Sequence, residues 1–261
     1  MQAENFRLDD YLRRIGFHGA PKADIASLTQ LMQCQLRTVP FENLDVQAGR
    51  PVSLKPEDIV TKIVATSRGG YCYEVNSLFA MALTAVGIPY SFVGARPMSY
   101  PTRWARTHMV IVAEIDGQSW LCDTGYGALG LRQPLNLAVL DTPVRQDRDL
   151  YRLVRDGGDY VVQGIIAGDK PSADEQTWGN LYSFNLSPFE LVDFVPANYY
   201  NYSHPDAVFV QKLLIVRHTQ TGRHILAGHM LKSFDNGVMT IRSLAATDLP
   251  GVVQNLFGLS L

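Results

Sequence analysis

Three side chains of this sequence have the chemistry and the placement for nucleophilic catalysis by sulfur. Cys72 stands in R-G-G-Y-C-Y-E-V-N (68–76), His108 heads H-M-V-I-V-A-E-I, and Asp123 closes S-W-L-C-D-T. A thiol is a strong nucleophile as its thiolate. An imidazole beside it, itself oriented by a third group, generates that thiolate near neutral pH. Cys72 falls at the expected first turn of a helix, where unpaired backbone N–H groups and the positive end of the dipole favour an anion. Gly69 and Gly70 allow a tight entry into that helix which side chains would block.

His108 and Asp123 are joined by strand register. With Asp116-Gly117 as a two-residue hairpin turn, Ile115 faces Gln118, Val110 faces Asp123 and His108 faces Gly125. His108 and Val110 share a face because side chains alternate, so His108 and Asp123 become diagonal neighbours, roughly 7–8 Å apart between backbones. Cys122 then points to the opposite face. Cys34, inside a helix, reads as a small buried hydrophobe. Each of the three has an ordinary reading when taken singly: a helical cysteine is usually core, a strand histidine structural or exposed, an aspartate after a strand a turn or cap residue. Register joins two of them and leaves open whether the helix start packs against the hairpin.

The elements that must carry these residues follow from hydrophobic period. Leu8, Tyr11, Leu12 and Ile15 have helical spacing, with Gly16 as a stop. Asp24 caps a second helix with Ile25, Leu28, Leu31, Met32 and Leu36 on one stripe, ended by Pro40, and Pro56 opens a third through Ile59, Val60, Ile63 and Val64. The fourth starts near Cys72, carries Val75, Leu78, Phe79, Ala82, Leu83 and Val86, and closes at Gly87-Ile88-Pro89; it is expected to be the most buried of the bundle. From residue 90 the pattern becomes short strands, including Y-R-L-V, Y-V-V-Q-G-I-I, K-L-L-I-V-R, H-I-L-A-G-H-M-L and V-M-T-I-R, with hairpin signals at Asp116-Gly117, Gly157-Gly158 and Asn236-Gly237. The stretch 169–180 reads as the long loop, and L-P-G-V-V-Q-N-L-F-G-L as a short terminal helix. The fold class expected is α+β: a helical bundle over 1–88, an antiparallel barrel over 89–198 and a smaller part over 199–261.

Composition narrows the function classes. The 261 residues carry a net charge of −2, against a nucleic-acid partner, which asks for a basic face. The sparse cluster Arg96, Arg103 and Arg106 suits an anionic cofactor better. Three widely spaced cysteines suggest no disulfide framework and a reducing compartment. With no signal-peptide core and no apolar run of membrane-span length, a soluble cytoplasmic protein is expected, monomeric or homodimeric.

R-G-G-Y-C-Y-E-V-N resembles the R-G-G-x-C-x-x-x-N signature of the arylamine N-acetyltransferases. V-P-F-E-N-L (39–44), the strand headed by His108, and W-L-C-D-T-G-Y-G (120–127) are similar to further segments of that family, in the same order along nearly the whole chain. The resemblance implies a helical bundle, a β-barrel and an α/β lid in a papain-like cysteine-transferase arrangement. It implies Cys72 as nucleophile, His108 as base and Asp123 as orienting carboxylate. The reaction implied is ping-pong acetyl transfer from acetyl-CoA to the nitrogen of an aromatic amine or hydrazine, without a metal. It further implies acceptor contacts at Phe41, Thr107 and Tyr126, and CoA contacts at Gly127 and Tyr200. Three departures stand out: Thr124 for the usual valine, Tyr126 for the usual phenylalanine, and Asp206 where Ser or Thr usually follows the proline. The chain also ends at N-L-F-G-L-S-L, short of a tail that adds to the cofactor site in some members. Arg68 reads as an ion-pair residue, with Glu74 and Asn76 bracing the helix start.

Other readings compete. A cysteine hydrolase or transglutaminase-like enzyme uses the same three groups, and a non-catalytic binding module could keep the scaffold. Gly125 to Gly130 is formally G-x-G-x-x-G, but L-R-Q-P-L-N-L follows instead of a helix, so a dinucleotide site is not expected. The glycines there read as room for a ligand beside Asp123. His218, His224 and His229 fit no zinc pattern and read as solvent-facing or edge residues. The Tyr199, Tyr200 and Tyr202 cluster lacks the basic residues of a nucleic-acid platform.

Overall fold

The computed structural model describes residues 1–99, 102–167 and 177–261. Its helical part comprises α1 (Leu8–Ile15), α2 (Ile25–Thr38), α3 (Leu44–Gln47), α4 (Pro56–Val60) and α5 (Cys72–Val86), with strand β1 (Phe41–Glu42) between α2 and α3. Local signals set these boundaries. The Asp24 carboxylate accepts the Ser27 N–H at 2.7 Å and starts α2. α4 opens on Pro56 and runs into a π-turn at Thr61–Ala65. Cys72 is the first residue of α5, whose N-cap is Tyr71, and Gly87 ends it in the left-handed region. Every residue of α5 from Cys72 to Leu83 is buried, as its apolar pattern predicts.

The chain then forms β2 (Tyr90–Pro97), β3 (His108–Ile115), β4 (Gln118–Cys122), β5 (Leu135–Asn136), β6 (Val144–Gln146), β7 (Asp149–Asp156), β8 (Asp159–Ile165) and β9 (Gly179–Phe189). These make one antiparallel sheet in the order β5-β4-β3-β2-β9-β8-β7-β6. Register breaks in β2–β9 and β8–β9 bend the strands, and the sheet curls as a half-barrel against the helices. β9 is central in this order, yet its pattern is broken by Asn185, Ser187 and Pro188 and does not stand out in the sequence. Most of the expected 169–180 loop lies outside the described residues, and its last two residues already belong to β9.

After β9 come α6 (Val195–Ser203), α7 (Val208–Gln211), β10 (Leu214–His218), β11 (Gly222–Ala227), β12 (Met230–Asp235), β13 (Val238–Ser243) and α8 (Leu249–Val252), with a final π-turn to Phe257. The stretch H-I-L-A-G-H-M-L, expected as one strand, is a hairpin turning at Gly228-His229. The second sheet runs β1-β10-β11-β12-β13. β1 therefore leaves the helical part to become an edge of the C-terminal sheet, while Phe41 also bridges in parallel to Gly70. The large core lies between helices and half-barrel, and a smaller one gathers Leu44, Ile215, Leu226, Leu231, Val253 and Phe257. No helix among the described residues is long and apolar enough to cross a membrane.

Candidate active site

The β3–β4 hairpin has the register its turn dictates, from Ile115↔Gln118 to Ile111↔Cys122. One step further along the same ladder, Asp123 reaches back across it, and its Oδ2 lies 2.7 Å from His108 Nε2. Both side chains are buried. The second carboxylate oxygen accepts from the Gly125 N–H at 2.8 Å and from Asn76 Nδ2 at 3.2 Å. With Nε2 taken by Asp123, Nδ1 is the imidazole nitrogen left for Cys72. Burial works against the imidazolium. The charge and hydrogen bond of Asp123, and then those of Cys72, outweigh it and push His108 up to about 10. Cys122 points away as alternation requires and is fully buried; burial, then the charge of Asp123, pushes its thiol well up. Cys34 is half-buried in α2.

What seats the helix start on the hairpin is a glycine and an asparagine. A Cβ on Gly125 would stand 2.6 Å from Cys72 Cα and 2.9 Å from Asn76 Nδ2. Gly125 thus makes room for α5 itself, where the sequence suggested room for a ligand. Asn76 donates to the Met109 carbonyl at 2.8 Å, and its own carbonyl accepts from the Thr124 N–H and hydroxyl at 2.9 and 2.8 Å. Thr124, the departure from valine, also accepts from Gln35 Nε2 at 3.1 Å, and Gln35 accepts from the Tyr11 hydroxyl at 2.8 Å. A buried chain of hydrogen bonds therefore runs from α1 to the Asp123 carboxylate.

The tyrosines flanking Cys72 fasten the same helix start on its other side. The Tyr71 hydroxyl meets the Asn198 side-chain carbonyl on α6. The Tyr73 hydroxyl donates to the Thr107 carbonyl at 2.7 Å, and Asn201 of α6 donates to both at 3.3 Å. Glu74 accepts the Tyr71 N–H at 3.0 Å and pairs with Lys62 at 2.6 Å; burial pushes its carboxyl up to about 7 against the pull of Lys62. Arg68 pairs with Glu42 at 2.8 Å and Asp45 at 3.4 Å, as an ion-pair residue should.

A family model described as N-acetyltransferase matches residues 24–261. Human arylamine N-acetyltransferase 1 is 31% identical, over 97% of this chain and 94% of its own. The chain belongs to the arylamine N-acetyltransferase family. The Salmonella typhimurium arylamine N-acetyltransferase structure superposes with a TM-score of 0.90 at 25% identity, covering 99% of this chain and 92% of that one. The Mycobacterium marinum arylamine N-acetyltransferase in complex with CoA superposes with a TM-score of 0.87 at 29% identity, covering 97% and 92%.

Around the three central groups of this N-acetyltransferase the remaining expected residues divide. Tyr126 packs its ring 5.0 Å from the His108 ring, and its hydroxyl meets the Leu181 carbonyl. Phe41 is buried and touches the position of Gly127, whose Cβ would meet its ring at 3.8 Å. Thr107 is buried beside His108, with its carbonyl held by Tyr73. Tyr200 stands apart from this group: its ring stacks on His204 at 4.5 Å and meets Trp104 edge-on at 6.1 Å. Asp206 is exposed, 3.9 Å from His204 Nδ1. Arg96 meets the Trp104 carbonyl; burial, then the nearby Arg103 and Arg106, lowers its pKa.

Two residues near the site went unread or misread in the sequence. Tyr182 of β9 packs 5.3 Å from the His108 ring and 4.7 Å from Tyr126. Burial, then the charge of Asp123, raises its hydroxyl well above the ordinary range. Its one sequence signal was the alternation of N-L-Y-S-F, read through the irregular end of β9. His218, expected at the surface, is buried at the end of β10 with Nε2 3.0 Å from the Gly127 carbonyl. A polar residue ending a strand looks solvent-facing until a second sheet covers it. His229 is exposed and His224 half-buried, and no metal-holding group occurs among the described residues.

Proposed function

We propose that the chain transfers an acetyl group from acetyl-CoA to the nitrogen of an aromatic amine or hydrazine, in two steps through Cys72. The Cys72 thiolate attacks the thioester carbonyl. The tetrahedral oxyanion is held by the Cys72 and Tyr73 amides, which precede the first helical hydrogen bonds of α5, those of Glu74 and Val75 to the Tyr71 carbonyl. The C–S bond to CoA breaks, and CoA takes its proton from the His108 imidazolium. The amine nitrogen then attacks the acetyl-cysteine, His108 accepts the nitrogen's proton, and the Cys72 thiolate departs with the imidazolium restored. Asp123 holds the imidazole and supports its charge throughout.

The reading rests on one observation: Cys72 heads a buried helix seated by Gly125 and Asn76 against the very hairpin that pairs His108 with Asp123. Thr107 and Tyr126 beside His108, with Phe41 against Gly127, take the acceptor ring in this reading. Gly127 and Tyr200 contact CoA, with Arg96, Arg103 and Arg106 as counter-charge for its phosphates. The division at 1–88, 89–198 and 199–261 then gives each part a role: nucleophile, base with carboxylate, and lid. A cytoplasmic location fits a cysteine kept reduced, and action on foreign amines is what the family resemblance implies. Intact-mass measurement after mixing with acetyl-CoA tests the route. Wild type should gain one acetyl group and lose it on addition of an aryl hydrazine, whereas Cys72→Ala should gain none. A labelled and active Cys72→Ala protein would refute the covalent intermediate.

A further inference from the structure

Between Asp123 and Arg132 the chain is largely buried and regular only in a 3-10 turn at Gly127–Leu129, and such backbone needs partners for its carbonyls. Here side chains supply them. Arg132 reaches the Gly130 carbonyl and, at 3.4 Å, that of Ala128. The Tyr151 hydroxyl serves Leu129 at 3.3 Å and Gly130 at 2.8 Å. Asp149 anchors this set, accepting from Arg132 and Arg223 at 3.1 Å each. The Gly127 carbonyl accepts from the Gly130 N–H at 3.4 Å and, more closely, from His218 Nε2 of the other sheet at 3.0 Å.

We propose that His218 is a positioning residue for both substrates, acting through the Gly127 carbonyl to hold the Tyr126–Gly127 turn in its catalytic shape. The proposal rests on the reading above, in which Tyr126 and Phe41 meet the acceptor and Gly127 meets CoA. The turn joins these parts: Tyr126 lies over His108, and Gly127 lies against Phe41. A carbonyl acceptor requires Nε2 to carry the proton, which leaves Nδ1 as a bare lone pair. Nδ1 has no hydrogen-bond partner among the described residues, so the ring is retained for its Nε2 contact. The charged groups acting on it are Arg132 and Arg223, both paired with Asp149 at 3.1 Å. The two guanidiniums, adding to burial, keep the imidazole neutral and hence in donor-plus-lone-pair form. His108 is held by Asp123, and Asp123 by Asn76 of α5 and the Gly125 N–H, none of which bonds His218 or the Gly127 carbonyl, so the turn can loosen without disturbing the cysteine.

Two substitutions separate this role from a packing role. Gln places an amide donor where Nε2 stands, whereas Asn reaches only as far as Nδ1. His218→Asn should raise KM for both an aryl hydrazine and acetyl-CoA about five- to tenfold, the scale of one lost hydrogen bond, with kcat and the rate of Cys72 alkylation by iodoacetamide little altered. His218→Gln should restore both KM values. Equal KM values for the Asn and Gln proteins, or an alkylation rate that falls in step with KM, would overturn the proposal. So would failure of both variants to fold, which would leave His218 a core residue only. Wild type in parallel separates the two levels: absence of acetyl-Cys72 there would sink the acetyl-transfer reading itself, whereas normal acetylation with indifferent variants would sink only the role of His218.

Discussion

His108 is pulled two ways. Burial favours the neutral ring; Asp123 at 2.7 Å and Cys72 favour the charged one and prevail, lifting it to about 10 from 6.5. The folded state thus binds the proton more tightly than the unfolded chain. The stability this contributes is fully present below pH 6.5 and is lost as pH rises through about 10. Asp123→Asn removes the charge that wins. The variant's stability deficit should be largest at acid to neutral pH and shrink toward pH 10, measured by urea unfolding across that range. Its Cys72 should alkylate about 100-fold more slowly at neutral pH, the scale of a positioned acid–base group. An unchanged alkylation rate would refute the orienting role of Asp123. At Thr124, where the resemblance implied valine, the hydroxyl joins Gln35 to Asn76, two polar groups that valine would leave short of a partner.

At the scale of elements, the hairpin and α5 were legible because turn chemistry, strand alternation and capping all reside in consecutive residues. Asp116-Gly117 sets the register, and Gly87 ends the helix. α6 was not legible. In V-P-A-N-Y-Y-N-Y-S the inward residues are Asn198 and Asn201, so hydropathy places its buried face outside. These asparagines face Tyr71 and Tyr73, polar partners from more than a hundred residues away. The joint between α5 and the hairpin depends on Asn76 in the same manner. Asn76→Ala leaves Thr124 and the Met109 carbonyl without their buried partner. It should cost roughly 2–4 kcal/mol of stability by denaturant unfolding and depress the acetylation of Cys72. A cost near zero would mean that the joint is held by packing alone.

Across the whole molecule, an ion network ties α3, the π-turn after α4 and the approach to α5. Asp45 meets Lys62 at 2.6 Å, Arg50 at 2.6 Å and Arg68 at 3.4 Å. Burial alone would raise its pKa; the hydrogen bonds of Lys62 and Arg50, with the surrounding positive charge, bring it down to about 2. The folded pKa lies below the ordinary 3.8, so its contribution is full above that pH and is lost as pH falls through about 2. The stability gap between wild type and Asp45→Asn should accordingly close over that interval in urea unfolding, and a gap independent of pH would contradict the pairing. By itself the sequence determined the boundaries of α1, α2 and α5, with the helix start at Cys72, and the hairpin ladder that unites His108 with Asp123, because periodicity, turns and caps are properties of neighbouring residues. Tertiary structure alone decided that the helix start meets the hairpin, that β1 crosses to the second sheet, and that His218 ends beneath the Gly127 turn. Those outcomes depend on contacts such as Asn76 with Asp123, 47 residues apart, and His218 with Gly127, 91 apart. No local pattern encodes which distant surface will supply the partner for a buried polar group.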